Sequence, residues 1–275
     1  MHLNRKKISQ LKITPSSKKK KDKKIIPKSI KPPIKLVARS KKKNKLKITN
    51  KGLRLSKIND KSRYKPLSKW KGLLEGHTAF ILGNSPSISK YKLELLNSFF
   101  TIGINRILYI YDPTVLIWQD IQMWNREKKR ISKQKSIRIC SKVSDPRSFF
   151  LNFKVREGKF KFGENLKVLH GMGNTGVLAA QVSINLGCSN LVLLGTDCKY
   201  GKNNKTNFYG KNIDHKPYTL EMCQDAMRWL KDNSPVPIYN CSNNKLWPKR
   251  KLSDIIDKLR PKEMSRKKYL EILKK

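Results

Sequence analysis

Five polar stretches, each beside a short apolar run, hold the residues able to do chemistry. Gly83-Asn84-Ser85-Pro86-Ser87 follows FIL. Gly83 lets a ligand approach the backbone, Asn84 and Ser85 offer short polar groups, Pro86 fixes φ, and Ser87 is placed to cap a following helix. That combination suits a phosphate or nucleotide cradle, the alternative being an ordinary turn. Asn105-Arg106 ends TIGINR, Gln119-Asp120 follows TVLIW, Asn174-Thr175-Gly176 opens an apolar helical pattern, and Gly195-Thr196-Asp197 ends NLVLLGTD. One such stretch would be unremarkable, but five at successive run ends are hard to explain by packing.

A proton acceptor is the other requirement. Of four histidines, His2 lies in a basic arm, His77 precedes the first apolar run and His170 sits near the end of another. His215 alone falls in a long polar stretch after GTD, where an ordinary imidazole pKa suits proton abstraction from a hydroxyl. A surface histidine bonded to Asp214 is the competing reading, and His170 is the rival as a core or substrate-positioning residue. The five cysteines include no CxxC pair, which favours reduced thiols and no zinc site. Cys198, next to Asp197, keeps a reactive thiol open.

The elements that must position these groups are legible as short β-rich runs at 77–82, 99–103, 114–118, 136–140, 167–170, 190–194 and 236–240. Helical patterns at 88–97, 174–187, 219–232 and 253–260 lie between them. The alternation predicts a doubly wound α/β domain, a mostly parallel Rossmann-like sheet with helices on both faces and ligands at the strands' carboxyl ends. Neither G-x-G-x-x-G nor G-x-x-x-x-G-K-[ST] is present, so dinucleotide oxidoreductases and P-loop NTPases lose support. The division expected is an arm over 1–66, a nucleotide-binding, glycosyltransferase-like domain over 67–258 and a basic helix over 259–275. That last segment reads as a solvated terminal helix, with membrane or partner docking as the alternative.

FILGNSPS, TIGINR, GNTGVLAAQVSINLGCSNLVLLGTD and VPIYNCSNN together resemble one superfamily. It joins the bacterial family 42 sialyltransferases, the motility accessory factors that transfer nonulosonic acids to flagellin, and the MptE-like pterin diphosphokinases. Phage-encoded relatives share a K-T-x-F-Y-G segment like Lys205–Gly210. The resemblance spans about residues 76–258. It implies a nucleotide donor, a cytidine-monophosphate sugar in the sialyltransferases and ATP in the pterin enzymes. Gly83, Asn84, Ser85 and Ser87 would then face donor phosphate and ribose, and Asn105 the donor sugar or cytidine. Thr175, Gly176, Gly195 and Asp197 would line the nucleotide pocket. His215 would be the general base, and Tyr209, preferred over Tyr200, would assist phosphate departure or form an aromatic wall; the loop spacing does not align cleanly with the sialyltransferase pattern. No D-x-D occurs, which suits a metal-independent monophosphate donor, with Mg²⁺ beside Asp197 or Asp120 only in a diphosphokinase. The functional expectation is transfer of sialic acid or another nonulosonate to a hydroxyl of an unidentified acceptor. The alternatives are the ATP-dependent diphosphokinase and a non-catalytic basic nucleic-acid-binding or virion-associated protein.

Charge separates the arm from the rest. Of 63 Lys and Arg, 26 lie in the first 70 residues with two of the 19 acidic residues, and the chain carries a formal +44. The Lys runs, broken by Pro15, Pro27, Pro32 and Pro33, show no hydrophobic period and read as a disordered polyanion tether, for nucleic acid or acidic lipid, or as a solubilising tail. The Lys-studded start lacks a signal-like apolar region and no apolar run reaches the roughly 18 residues of a membrane span, so the expectation is a cytoplasmic protein. Deleting residues 1–66 is expected to abolish most non-specific DNA or RNA retention. Filter binding across a salt series checks this, because log affinity of the full chain should fall about 0.7 to 0.9 units per phosphate contact for each tenfold rise in salt.

Overall fold

The computed structural model describes residues 67–141, 150–152, 154–156, 168–171, 173–210, 217–259 and 264–274. The arm over 1–66 and His215 lie outside them. Among the described residues there are nine strands: β1 Thr78–Leu82, β2 Phe100–Ile104, β3 Val115–Trp118, β4 Ile137–Cys140, β5 Phe150–Asn152, β6 Lys154–Arg156, β7 Val168–His170, β8 Asn190–Leu194 and β9 Ile238–Asn240. Five α-helices accompany them: α1 Ile121–Lys133, α2 Thr175–Asn185, α3 Pro217–Asn233, α4 Leu252–Lys258 and α5 Arg266–Lys274.

Seven strands form one sheet in the order β5-β4-β3-β2-β1-β8-β9, and every neighbouring pair is parallel. Strand order reverses at β1, whose Ile81 pairs Ile102 on one side and Leu193 on the other. Because both faces are covered, the strands read as unbroken apolar runs, and all of TAFIL is buried. Alternate residues divide between two cores. Ala79, Ile81, Ile102 and Leu193 meet Val177 and Leu178 of α2 and Met227 and Leu230 of α3. Phe80, Leu82, Leu116 and Val192 meet Trp124 of α1 and Leu252 and Ile255 of α4. The doubly wound architecture expected from the alternation is the one observed.

Several elements differ from expectation. The run at 88–97 forms two 3-10 helices, Pro86–Lys90 and Leu93–Leu96, separated by Tyr91 in extended backbone whose hydroxyl donates to the Cys241 carbonyl. The strand expected at 167–170 forms, as β7, but pairs only β6 in a separate two-stranded ribbon. Helix α1 was not anticipated, although Met123, Trp124, Glu127 and Ile131 recur on one face. The terminal segment is not a solvated helix. Tyr269 and Leu273 of α5 are buried in the first core, the Tyr269 hydroxyl meets His77 Nδ1 at 3.2 Å, and Arg266 pairs Asp112 at 2.9 Å. Among the described residues, no helix is long and apolar enough to cross a membrane.

Tyr269→Ala is expected to cost about 3–5 kcal/mol in urea unfolding, the usual penalty for emptying a buried aromatic site. Leu95→Ala, at a side chain 58% exposed, should change stability by less than about 0.5 kcal/mol.

Candidate active-site cleft

The site forms where β1 and β8 leave the sheet side by side. Gly83 N–H donates to the Leu194 carbonyl at 2.7 Å and Ser85 N–H to the Gly195 carbonyl at 2.8 Å. A Cβ on Gly83 would lie 2.1 Å from the Gly195 carbonyl oxygen, and one on Gly195, at φ +63, would lie 2.8 Å from Ile88 Cβ. The two glycines are required by this crossing of backbones.

Asp197 locks the crossing. Its Oδ1 accepts from the Ser87 hydroxyl at 2.5 Å and the Asn243 N–H at 2.7 Å, and its Oδ2 accepts from the Ser87 N–H at 3.3 Å. The Asp197 N–H in turn donates to Ser85 Oγ at 3.0 Å. The carboxylate therefore sits where the helix reading placed a phosphate. Ser87 does not cap: Ser85 holds the N-cap position of a five-residue 3-10 helix, without a side-chain cap bond. A second brace comes from the loop after β9, where the Thr196 N–H donates to Ser242 Oγ at 2.9 Å and Asn244 Nδ2 to the Thr196 carbonyl at 3.3 Å.

In front of this brace opens a cleft of about 800 Å³. Of the residues given a donor-binding or catalytic role by the resemblance, Asn84, Ser85, Asn105, Thr175, Gly195 and Tyr209 line it. Gly83, Ser87, Gly176 and Asp197 stand outside its lining and hold the loops that do. Asn84 donates from Nδ2 to the Ile104 carbonyl at 2.9 Å, while its buried Oδ1 meets no hydrogen-bond partner among the described residues. Asn105 Oδ1 is in the same condition, on a residue held at φ +47. The N-cap of α2 is Asn174, whose Oδ1 accepts from the Gly176 N–H at 2.8 Å. Thr175 Oγ1 instead takes Gln119 Nε2 at 3.3 Å. His170 is engaged at its backbone by Gln181 and is not part of the lining.

The cleft lining is also basic. Arg106, Arg126 and Lys199 line the cleft with Asp120 as the one acidic residue among its lining. Arg106 Nε bonds Glu127 Oε1 at 3.0 Å, and its guanidinium lies 5.3 Å from the Tyr209 ring centroid. Burial works against the Arg106 charge, but the Tyr209 hydroxyl and Glu127 carboxylate outweigh it and raise its pKa. The buried Glu127 also accepts from the Tyr109 hydroxyl, and burial together with that carboxylate raises the Tyr109 pKa. Tyr209 is presented by a tight Asn207–Gly210 turn, with N–H to carbonyl bonds of 3.0 Å in both directions. Arg106 and Gln119 belong to strand-exit stretches already marked in the sequence, although no role is assigned to them there; Arg126 depends on α1 and had no such signal.

The chain is weakly similar to solved glycosyltransferases, each at a TM-score below 0.5. The MAf glycosyltransferase from Magnetospirillum magneticum AMB-1 is 14% identical with a TM-score of 0.45, over 76% of this chain and 41% of that one. The chain thus spans about two fifths of that protein's length. The sialyltransferase CstII from Campylobacter jejuni in complex with cytidine-5'-monophosphate is 14% identical with a TM-score of 0.38, over 62% of this chain and 82% of that one. Its complex with CMP-3FNeuAc gives 15% identity and a TM-score of 0.35, over 60% and 80%. No family model and no curated protein matches the chain.

Gly83→Ala is expected to destabilise the domain by about 3 kcal/mol or more, since the clash is with backbone rather than a flexible side chain. Asp197→Ala should cost about 1–3 kcal/mol by stranding the Ser87 and Asn243 donors, with urea unfolding as the measurement for both.

Proposed function

We propose that the protein is a glycosyltransferase-like enzyme that takes a nonulosonate such as sialic acid from a cytidine-monophosphate donor and passes it to an acceptor hydroxyl. The observation that carries this reading is the set of polar and charged groups that line the cleft together. The buried, unpartnered Asn84 Oδ1, with Asn105 Oδ1 near the same strand ends, awaits hydroxyl or amino donors of the kind a ribose and a cytosine present. In the same lining Arg106, Arg126 and Lys199 outnumber Asp120, which suits a donor carrying one phosphate charge and one sugar carboxylate. The choice of nonulosonate and cytidine rests on the resemblance of the GNSPS, GINR, GNTG and GTD stretches to the family named above.

In this mechanism the acceptor oxygen attacks the anomeric carbon as the bond from that carbon to the phosphate oxygen breaks. The acceptor proton passes to a base, for which His215 is the candidate; it lies outside the described residues, in the segment between cleft-lining Tyr209 and Thr219. Tyr209 and the Arg106 charge beside it stabilise the negative charge developing on the departing phosphate. Asp197 is not among the cleft-lining residues and its carboxylate is engaged by Ser87 and Asn243, so it is not placed to hold a metal in the cleft. A diphosphokinase using Mg²⁺ would have to rely on Asp120, which lines the cleft.

A thermal-shift panel of nucleotides tests the reading. CMP should stabilise the protein, and Asn84→Ala should abolish the shift. A response confined to ATP with Mg²⁺ would replace the transferase with the diphosphokinase. His215→Ala should leave the CMP shift intact while lowering turnover of a CMP-sugar donor by about 10²- to 10⁴-fold, measured as CMP release.

A further inference from the structure

We propose that Glu127 is a positioning residue of the cleft, holding Arg106 before any ligand arrives in the conformation that receives the phosphate of a nucleotide. The inference rests on the nucleotide-donor reading above and adds to it a residue that does not itself line the cleft.

Glu127 is the only carboxylate of α1, and its side chain is 8% exposed. The neighbouring Arg126, Lys128, Lys129 and Arg130 are all exposed, so an acid kept to balance their charge would lie in solvent with them. Glu127 lies instead on the stripe of Met123, Trp124 and Ile131. A carboxylate there is costly unless donors meet it. Two do, and both come from the 3-10 helix Asn105–Tyr109 at the exit of β2: Arg106 Nε, at 3.0 Å, and the Tyr109 hydroxyl donate to the same Oε1. Arg130 Nε, 3.8 Å from Oε2 on a side chain 61% exposed, adds little.

Stability does not explain such an arrangement, because apolar side chains of similar volume commonly replace a buried ion pair without loss. What the carboxylate adds is geometry. A free arginine gives up rotamer freedom when it binds an anion, whereas one bonded through Nε has given it up on folding and keeps its Nη donors for a ligand. Arg106 lines the cleft, with its guanidinium 5.3 Å from the Tyr209 ring centroid. The Tyr109 ring lies 5.8 Å from the same ring. Both side chains that Glu127 bonds therefore adjoin the tyrosine assigned to the departing phosphate. The tie also anchors Asn105, the first residue of that 3-10 helix, which lines the cleft at φ +47.

The test is a double-mutant cycle on the full chain, read as CMP affinity by titration calorimetry. Arg106→Ala should weaken CMP by about 10- to 100-fold, the usual loss for a hydrogen bond to a charged group. Glu127→Met should weaken it by about 5- to 10-fold alone, but by less than about 2-fold in the Arg106→Ala protein, because the carboxylate acts through that arginine. Glu127→Gln, which keeps an acceptor oxygen, should recover most of the loss. Equal losses in both backgrounds would show a general structural role, and these or no loss at all would overturn the proposal. If ATP binds and CMP does not, the transferase reading fails while the same cycle, run with ATP, still decides this one. Binding of neither would overturn both. A measurement independent of whether the Glu127 variants fold is nitrogen-15 relaxation of the arginine Nε–H groups in the ligand-free chain, with the Arg106 signal assigned by its loss in Arg106→Lys. Arg106 should be markedly more rigid than the exposed Arg250 and change little on adding CMP. An Arg106 as mobile as Arg250 until the nucleotide is added would overturn the proposal.

Discussion

The crossing of the β1 and β8 exits at Gly83 and Gly195 is the constraint from which the site follows. Two backbones close enough for a Cβ to fall 2.1 Å from a carbonyl oxygen leave no room for side chains at the crossing. The polar groups are displaced to the following residues, and Asn84 and Ser85 reach the cleft for that reason. The crossing lies where strand order reverses, with β2 and β8 on opposite sides of β1. Adjacent connections that depart in opposite senses leave a crevice there, the usual position for a ligand in an open parallel sheet.

Such a crossing needs a brace. Asp197 supplies it from the β8 side, its carboxylate gathering a hydroxyl and an N–H from Ser87 and an N–H from Asn243. A buried carboxylate held by three donors is far less costly than an unpaired one. The loop after β9 closes the arrangement through a network of its own. Asn240 Oδ1 accepts from the Ser242 N–H at 2.9 Å and from Asn244 Nδ2 at 3.1 Å, holding Ser242 and Asn244 against Thr196. The YNCSNN stretch thus acts on the cleft without lining it. Its polar residues bind neighbouring loops, and those loops present Asn84, Ser85 and Gly195.

The charged part of the lining has a different origin. Glu127 of α1 is buried and shared by Arg106 Nε, the Tyr109 hydroxyl and Arg130, the last at 3.8 Å. One carboxylate among two guanidiniums leaves a positive surplus near the cleft while limiting the rotamers open to Arg106. Arg106 and Tyr209 meet across the cleft edge although about a hundred residues separate them in the chain. This is an electrostatic arrangement assembled by folding, built on a helix whose apolar stripe buries Met123, Trp124 and Ile131.

The parallel α/β architecture was legible in the chain because fully covered strands must be apolar on both faces, and TAFIL, VLIW and NLVLL are. The location of the cleft was legible too, since glycine and short polar residues at run ends have few packing reasons to gather. The division of labour within those stretches was not. Ser87 and Asp197 have the same residue types as groups that bind nucleotides, and only their contact with each other showed that they brace the loops. The α5 segment carries so many lysines that its two buried side chains, Tyr269 and Leu273, were masked by charge that lies on its other faces. Composition and periodicity are local properties and therefore determine elements. Which polar groups are consumed by one another, and which remain for a ligand, depends on contacts between residues far apart in the chain, and those the tertiary structure alone decides.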